Sequence, residues 1–203
     1  MAAMVGRLHQ MEYLLQGSVA KENVETLLHR LRGLCDNTAH DATKFADHEM
    51  VYTLRNSTNT VTFRARHSLA DPSAPWQLRY LGQAEMGDKS RATLLRSCVE
   101  VSTSENLTAF LEELGFRFDY EVVLKGFVFY KGHMRITVSQ VFRVPKLGDT
   151  RNLELTSQVY LVEISLTTAV QQDPVADEVK AFAEHLKPLV HLEKVDHRKL
   201  QSM

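Results

Sequence analysis

The chain has 203 residues, with 24 Lys and Arg against 25 Asp and Glu, for a formal net charge of −1. Hydrophobic residues make up 44% and charged residues 24%, which suits one globular domain with its own core and excludes a disordered chain of low hydrophobicity and high net charge. The balanced charge excludes a uniformly basic nucleic-acid binder, so no direct nucleic-acid contact is expected. No stretch approaches the ~20 apolar residues that span a bilayer, and no apolar signal run opens the chain. A soluble intracellular protein without membrane contact is expected, with a flexible segment at 1–10 and a single domain over 11–203.

From Met11 to Gln16 the pattern alternates and predicts a strand, ended by Gly17 and Ser18, with Ser18 as cap for a following helix. Val24, Leu27, Leu28, Leu31, Leu34 and Cys35 recur at spacings of three and four, which places them on one helical face. Asp36 and Asn37 mark its stop. The period then becomes two. Met50, Tyr52 and Leu54, then Val61, Phe63 and Ala65, then Trp76, Leu78 and Tyr80 each share a strand face. The turns fall at Asn56 to Asn59, at Asp71 to Ser73 and at Gly87-Asp88. Residues 92–101 continue the alternation. Ser102 with Glu105 reads as a capping box for a helix carrying Leu107, Phe110, Leu111 and Leu114, with Gly115 beyond its end. Val122 to Tyr130 and Met134 to Val144 form a hairpin around Lys131 to His133. Val159 to Thr167 is the last strand. Asp173 and Pro174 start a helix with Val179, Phe182, Ala183 and Leu186 on its stripe, closed by Pro188. The remainder, from Leu189, docks as a short extended piece or trails off. Runs of strands with helices between them predict an α+β fold whose antiparallel sheet is large enough to curl or close.

No catalytic motif emerges from the residues. The nine histidines show no metal-ligand spacing, and Asp47-His48-Glu49 reads as a solvated polar turn. There is no nucleophile elbow and no phosphate-binding glycine loop. Cys35 and Cys98 lie among apolar neighbours and read as reduced structural thiols. Glu12, Arg64, Arg66, Arg79, Glu121, Lys125, Arg135, Arg143 and Glu163 all fall in strand-like stretches. They are expected to form a wet sheet face; in a closed barrel they would instead line a tunnel of mixed sign able to bind phosphates or metals. Glu163, between Val162 and Ile164, is expected to pair with a neighbouring arginine. Trp76 reads as core packing, with a partner-facing anchor as the alternative.

Read as whole strings, the sequence resembles the Mediator subunit 18 family. The stretches that carry the likeness run from Met11 to Ala20, Leu27 to Asn37, Asp47 to Val51, Pro75 to Ser90, Thr103 to Arg117, Lys125 to Arg135 and Phe182 to Val195. The resemblance implies an antiparallel β-barrel-like fold with about three flanking helices, similar to the triphosphate-tunnel barrels. It implies a nuclear, non-catalytic subunit of the Mediator head module that couples regulators to RNA polymerase II initiation. The implied partners are Mediator subunit 20 as heterodimer mate, the C-terminal helix of Mediator subunit 8, other head subunits and the polymerase machinery. No cofactor and no metal site are expected, because the tunnel enzymes carry a Glu-x-Glu-x-Lys signature on the first strand and only Glu12 of that set is present here. The alternatives are a tunnel-type phosphohydrolase acting on triphosphates and a small-ligand barrel. A permanent interface needs an apolar patch, expected from Trp76, Leu78 and Tyr80 or from Phe127 and Phe129.

Overall fold

The computed structural model describes residues 10–36, 43–55, 60–85 and 91–195. The expected loose N-terminus up to residue 9, the stop at Asn37, the turns at 56–59 and Gly87-Asp88, and the tail beyond Val195 lie outside the described residues. Among those described, nine strands follow the period-two stretches: β1 (Gln10–Val19), β2 (Thr43–Arg55), β3 (Thr60–Ser68), β4 (Trp76–Leu81), β5 (Leu94–Thr103), β6 (Arg117–Lys131), β7 (Met134–Arg143), β8 (Glu154–Leu155) and β9 (Tyr160–Thr168). Three helices follow the period of 3.6: α1 (Val24–Leu34), α2 (Leu107–Glu113) and α3 (Asp173–Glu184).

All pairings are antiparallel, in the order β6-β2-β3-β4-β5-β1-β9-β7-β8. The predicted hairpin closes the ring, because β6 pairs with β2 on one side and with β7 on the other, Val122–Lys131 against Arg143–Met134. Eight strands thus form a barrel, and β8 is a two-residue graft on β7. The β-barrel-like α+β architecture expected from the sequence is the one observed.

The apolar side chains of the barrel point outward. On one flank Tyr13, Leu15, Leu95, Phe129, Ile136, Val138, Val162 and Ile164 are buried under α1 and α3. There α1 contributes Val24, Leu27, Leu28 and Leu31, and α3 contributes Val175, Val179 and Phe182. Each such leucine or phenylalanine stabilises by about 1.5–3 kcal/mol through burial. On another flank Met50, Tyr52 and Ala65 pack under Leu107 and Leu111 of α2, with Trp76, Leu78 and Phe63 at the edge. Polar tethers fix the helices. The Tyr13 hydroxyl donates to the Gln172 carbonyl and accepts from the Gln172 amide at the head of α3. Arg30 of α1 donates to the carbonyls of His185 and Lys187 at its foot.

Two predicted caps are corrected. Ser18 lies within β1, and a 3-10 turn at Lys21–Asn23 leads into α1 instead. Ser102 lies within β5, so α2 starts later, without a side-chain cap. Strand pairing with β4 takes Ser102 first. At the other end of α2 the reading holds: Gly115 has φ 91, and the Gly115 and Phe116 amides donate to the Glu112 and Leu111 carbonyls.

The C-terminal segment docks as an extended piece. β5 pairs with β1 only up to Leu14, and Glu193 pairs with Gln16 just beyond. The segment crosses so close to Gly17 that a Cβ there would lie 2.2 Å from the His191 carbonyl oxygen. Gly17→Ala is therefore expected to push this segment off β1. Amide exchange at Glu193 should accelerate by about tenfold or more while Ile136 stays protected, as read by hydrogen-exchange NMR.

Candidate functional site

Closing the barrel turns the alternate strand residues inward. Five carboxylates, Glu12, Asp47, Glu49, Glu100 and Glu163, and five guanidiniums, Arg64, Arg66, Arg79, Arg96 and Arg135, line two lumen cavities of about 400 and 210 Å³. The two share Asp47, Arg66, Arg79 and Arg135. This corrects the expected solvated face for Glu12, Arg64, Arg66, Arg79, Arg135 and Glu163. Glu121, Lys125 and Arg143 take other places: Glu121 binds His48 on the outer side, Lys125 lies over the Phe142 ring, and Arg143 pairs with Glu154 at the surface.

Glu12 is the centre of the lumen network and is 2% exposed. Arg96 sits opposite it in the β1–β5 register and donates to Oε2 at 2.6 Å. Arg79 reaches from β4 to Oε1. Burial pulls the Glu12 pKa up, but the charges and hydrogen bonds of Arg79 and Arg96 outweigh it and hold the carboxyl below its ordinary 4.5. Arg66 donates to Gln77 and Glu100, and Arg64 to Glu49 at 2.6 Å. Arg64 and Arg79 stand opposite one another between β3 and β4, a repulsive arrangement relieved because each turns to a different carboxylate. Glu163 accepts from Gln16 at 2.7 Å, so its partner is an amide rather than the expected arginine. Burial raises the Asp47 pKa, against the lowering effect of Arg66 and Arg135.

The Asp47-His48-Glu49 run, expected as a solvated turn, is part of β2, with Asp47 half-buried and His48 and Glu49 buried. Asp47 and Glu49 face the lumen, while His48 faces outward and is 4% exposed. His48 Nε2 lies 2.7 Å from Glu121 Oε2, and its Nδ1 lies 3.0 Å from His67 Nε2. His67 in turn stacks on Trp76, with ring centroids 4.4 Å apart. The Gly148 amide donates to the other oxygen of Glu121. These groups end a groove of about 340 Å³ between α2, the 147–150 loop and the barrel wall, floored by Met50, Tyr52, Phe118 and Trp76.

Among the predicted interface residues, Trp76 and Leu78 are half-buried against the α2 cluster and Tyr80 is half-buried edge-on to Phe63. Phe127 is half-buried, whereas Phe129 is 0% exposed beneath the helices and offers no surface. The two sets lie on different flanks and form no single patch. Sequence reading missed Asp47, Glu49, Arg96 and Glu100 as lumen residues; their place in the same alternation as Arg64 and Arg66 was the available signal. Both thiols are pushed up by burial, Cys35 to about 11, as suits unreactive structural cysteines.

The family model described as Med18 protein matches residues 11–202. The chain is 55% identical over 196 residues to Mediator of RNA polymerase II transcription subunit 18 of Danio rerio, covering 96% of this chain and 93% of that protein. Its fold is similar to a chain of the Schizosaccharomyces pombe Mediator head module, with TM-score 0.73 and 15% identity, covering 91% of this chain and 98% of that one. It is also similar to the RNA triphosphatase domain of a mimivirus mRNA capping enzyme, with TM-score 0.55 and 11% identity, covering 90% of this chain and 91% of that one.

Glu12→Gln leaves two lumen guanidiniums short of charge and is expected to cost about 3–5 kcal/mol at neutral pH. Because the folded pKa of Glu12 is depressed, its contribution is complete above its ordinary 4.5 and is lost as pH falls through the folded value. Urea denaturation should therefore show the gap between wild type and variant closing as pH drops below about 4.5.

Proposed function

The chain belongs to the Mediator subunit 18 family, and from that membership we propose that it is a structural, non-catalytic subunit of the Mediator head module. It works in the nucleus and couples regulators to RNA polymerase II initiation through protein–protein contacts. The observation that carries this reading is likeness that runs from end to end with a Mediator subunit 18.

The lumen supports the absence of catalysis. Metal-assisted phosphoryl hydrolysis needs several carboxylate oxygens free for an ion. Both Glu12 oxygens are engaged by arginines. Among the described residues no group of three or more His, Cys, Asp or Glu is placed to hold a metal.

The partners are Mediator subunit 20 and the C-terminal helix of Mediator subunit 8, which bind the outer surface. Trp76, Leu78, Tyr80 and Phe127 contribute to that surface, with Phe129 packing from below. Phe110 on α2 and Leu114 at its C-terminal cap, 54% and 53% exposed, add to the apolar area of the outer surface. A permanent interface of over ~2,000 Å² needs such area.

Co-expression with subunits 20 and 8, read by size-exclusion chromatography with light scattering, is expected to give a 1:1:1 complex. Phe127→Asp should weaken it. A monomer that ignores both partners would overturn the reading, as would magnesium- or manganese-dependent triphosphate turnover abolished by Glu163→Gln.

A further inference from the structure

We propose that the groove beside α2 is a docking pocket for an arginine side chain of a partner polypeptide, held between the Trp76, Tyr52 and Phe118 rings and the Glu112 carboxylate. The groove volume of about 340 Å³ falls in the range of clefts that enclose a specific ligand group. Its floor is aromatic: Tyr52 and Phe118 meet edge to face at 81°, so they present two walls at nearly a right angle. Such walls suit the aliphatic stem of a long side chain and the face of a cation.

The permanent charge of the groove is of one sign, its two histidines, His48 and His67, being bonded to one another and His48 also to Glu121. No lysine or arginine lines it among the described residues, and its two carboxylates are Glu112 and Glu121. Glu121 is committed, with one oxygen on His48 and the other on the Gly148 amide. The Glu112 carboxylate has no hydrogen-bond or ion-pair partner among the described residues, and neither has the hydroxyl of Tyr52, a residue only 3% exposed. A carboxylate and a hydroxyl without partners therefore converge beside the Tyr52, Phe118 and Trp76 rings, of which Trp76 has one face covered by His67. Burial, then the charges of Glu112 and Glu121, raise the Tyr52 pKa, in keeping with an electronegative pocket. A guanidinium answers all three features at once. It stacks on a ring, donates in its plane to a carboxylate, and keeps its charge at every physiological pH. An ammonium has no plane to stack.

The inference stands on the groove alone, so assembly with Mediator subunits and arginine binding can fail independently. Trp76 is the single tryptophan, so the full chain gives one indole N–H resonance that reports the groove. Titration with N-acetyl-arginine amide should shift that resonance saturably. The neutral isostere N-acetyl-citrulline amide should bind about tenfold more weakly or worse, and Glu112→Gln should weaken arginine binding to a similar degree, as expected for the loss of a charge-assisted hydrogen bond. Glu112 is exposed on α2, so this variant keeps its fold. The proposal is overturned if no saturable shift appears, if citrulline matches arginine, if Glu112→Gln leaves binding unchanged, or if N-acetyl-lysine amide binds as well as arginine.

Discussion

One buried carboxylate between two arginines organises this barrel. Glu12 takes Arg96 from the adjacent strand and Arg79 from the strand beyond it. A carboxylate removed from water is tolerated only when its charge and lone pairs are met in place. Meeting them requires β1, β4 and β5 to curve around a common interior. The outward residues of the same strands are then left apolar, and α1, α2 and α3 supply the cover. The protein is thus inverted relative to a small-ligand barrel with an apolar lumen: its ions are inside the sheet and its oil is outside it.

That inversion bears on function. A lumen of five acids and five arginines leaves little charge unspent for a polyanionic substrate, although the cavities are not packed solid. On the proposed function, recognition falls to the outer wall. There the covering helices are short, and apolar groups such as Phe110, Leu114 and Leu147 stay exposed. A subunit of a larger assembly needs such surface, whereas a solitary enzyme would place its specificity inside the tunnel. The His48–Glu121 contact and the Trp76 stack shape one part of that wall into a groove rather than a flat sheet.

The sequence predicts much of the architecture and little of the site. The strand runs and helical stripes from Val24 to Leu186 were readable because side-chain period follows backbone geometry. Closure was not readable from periodicity, because Arg64 and Arg66 alternate with Phe63 and Ala65 in the same way whether they face solvent or a lumen. The resemblance to a family carried that part. The Glu12 pairs span 67 and 84 residues of sequence, and no local pattern encodes such a match. Ser18 and Ser102 have the residue type of helix caps but cap nothing, because the sheet takes both residues first. The Asp47 to Glu49 run looked like a turn because three polar residues stood together, and only the two-sided burial of β2 separates them.

The closed barrel depends on its lumen charges acting as a coupled unit. The most direct test is a double-mutant cycle on Glu12→Gln and Arg96→Met by urea denaturation at neutral pH. A coupling energy of about 2–3 kcal/mol is expected, because losing Glu12 strips Arg96 of its carboxylate and losing Arg96 leaves the buried Glu12 with Arg79 alone. Additive effects, agreeing within about 0.5 kcal/mol, would contradict it and would mean that the outer apolar packing alone holds the barrel closed.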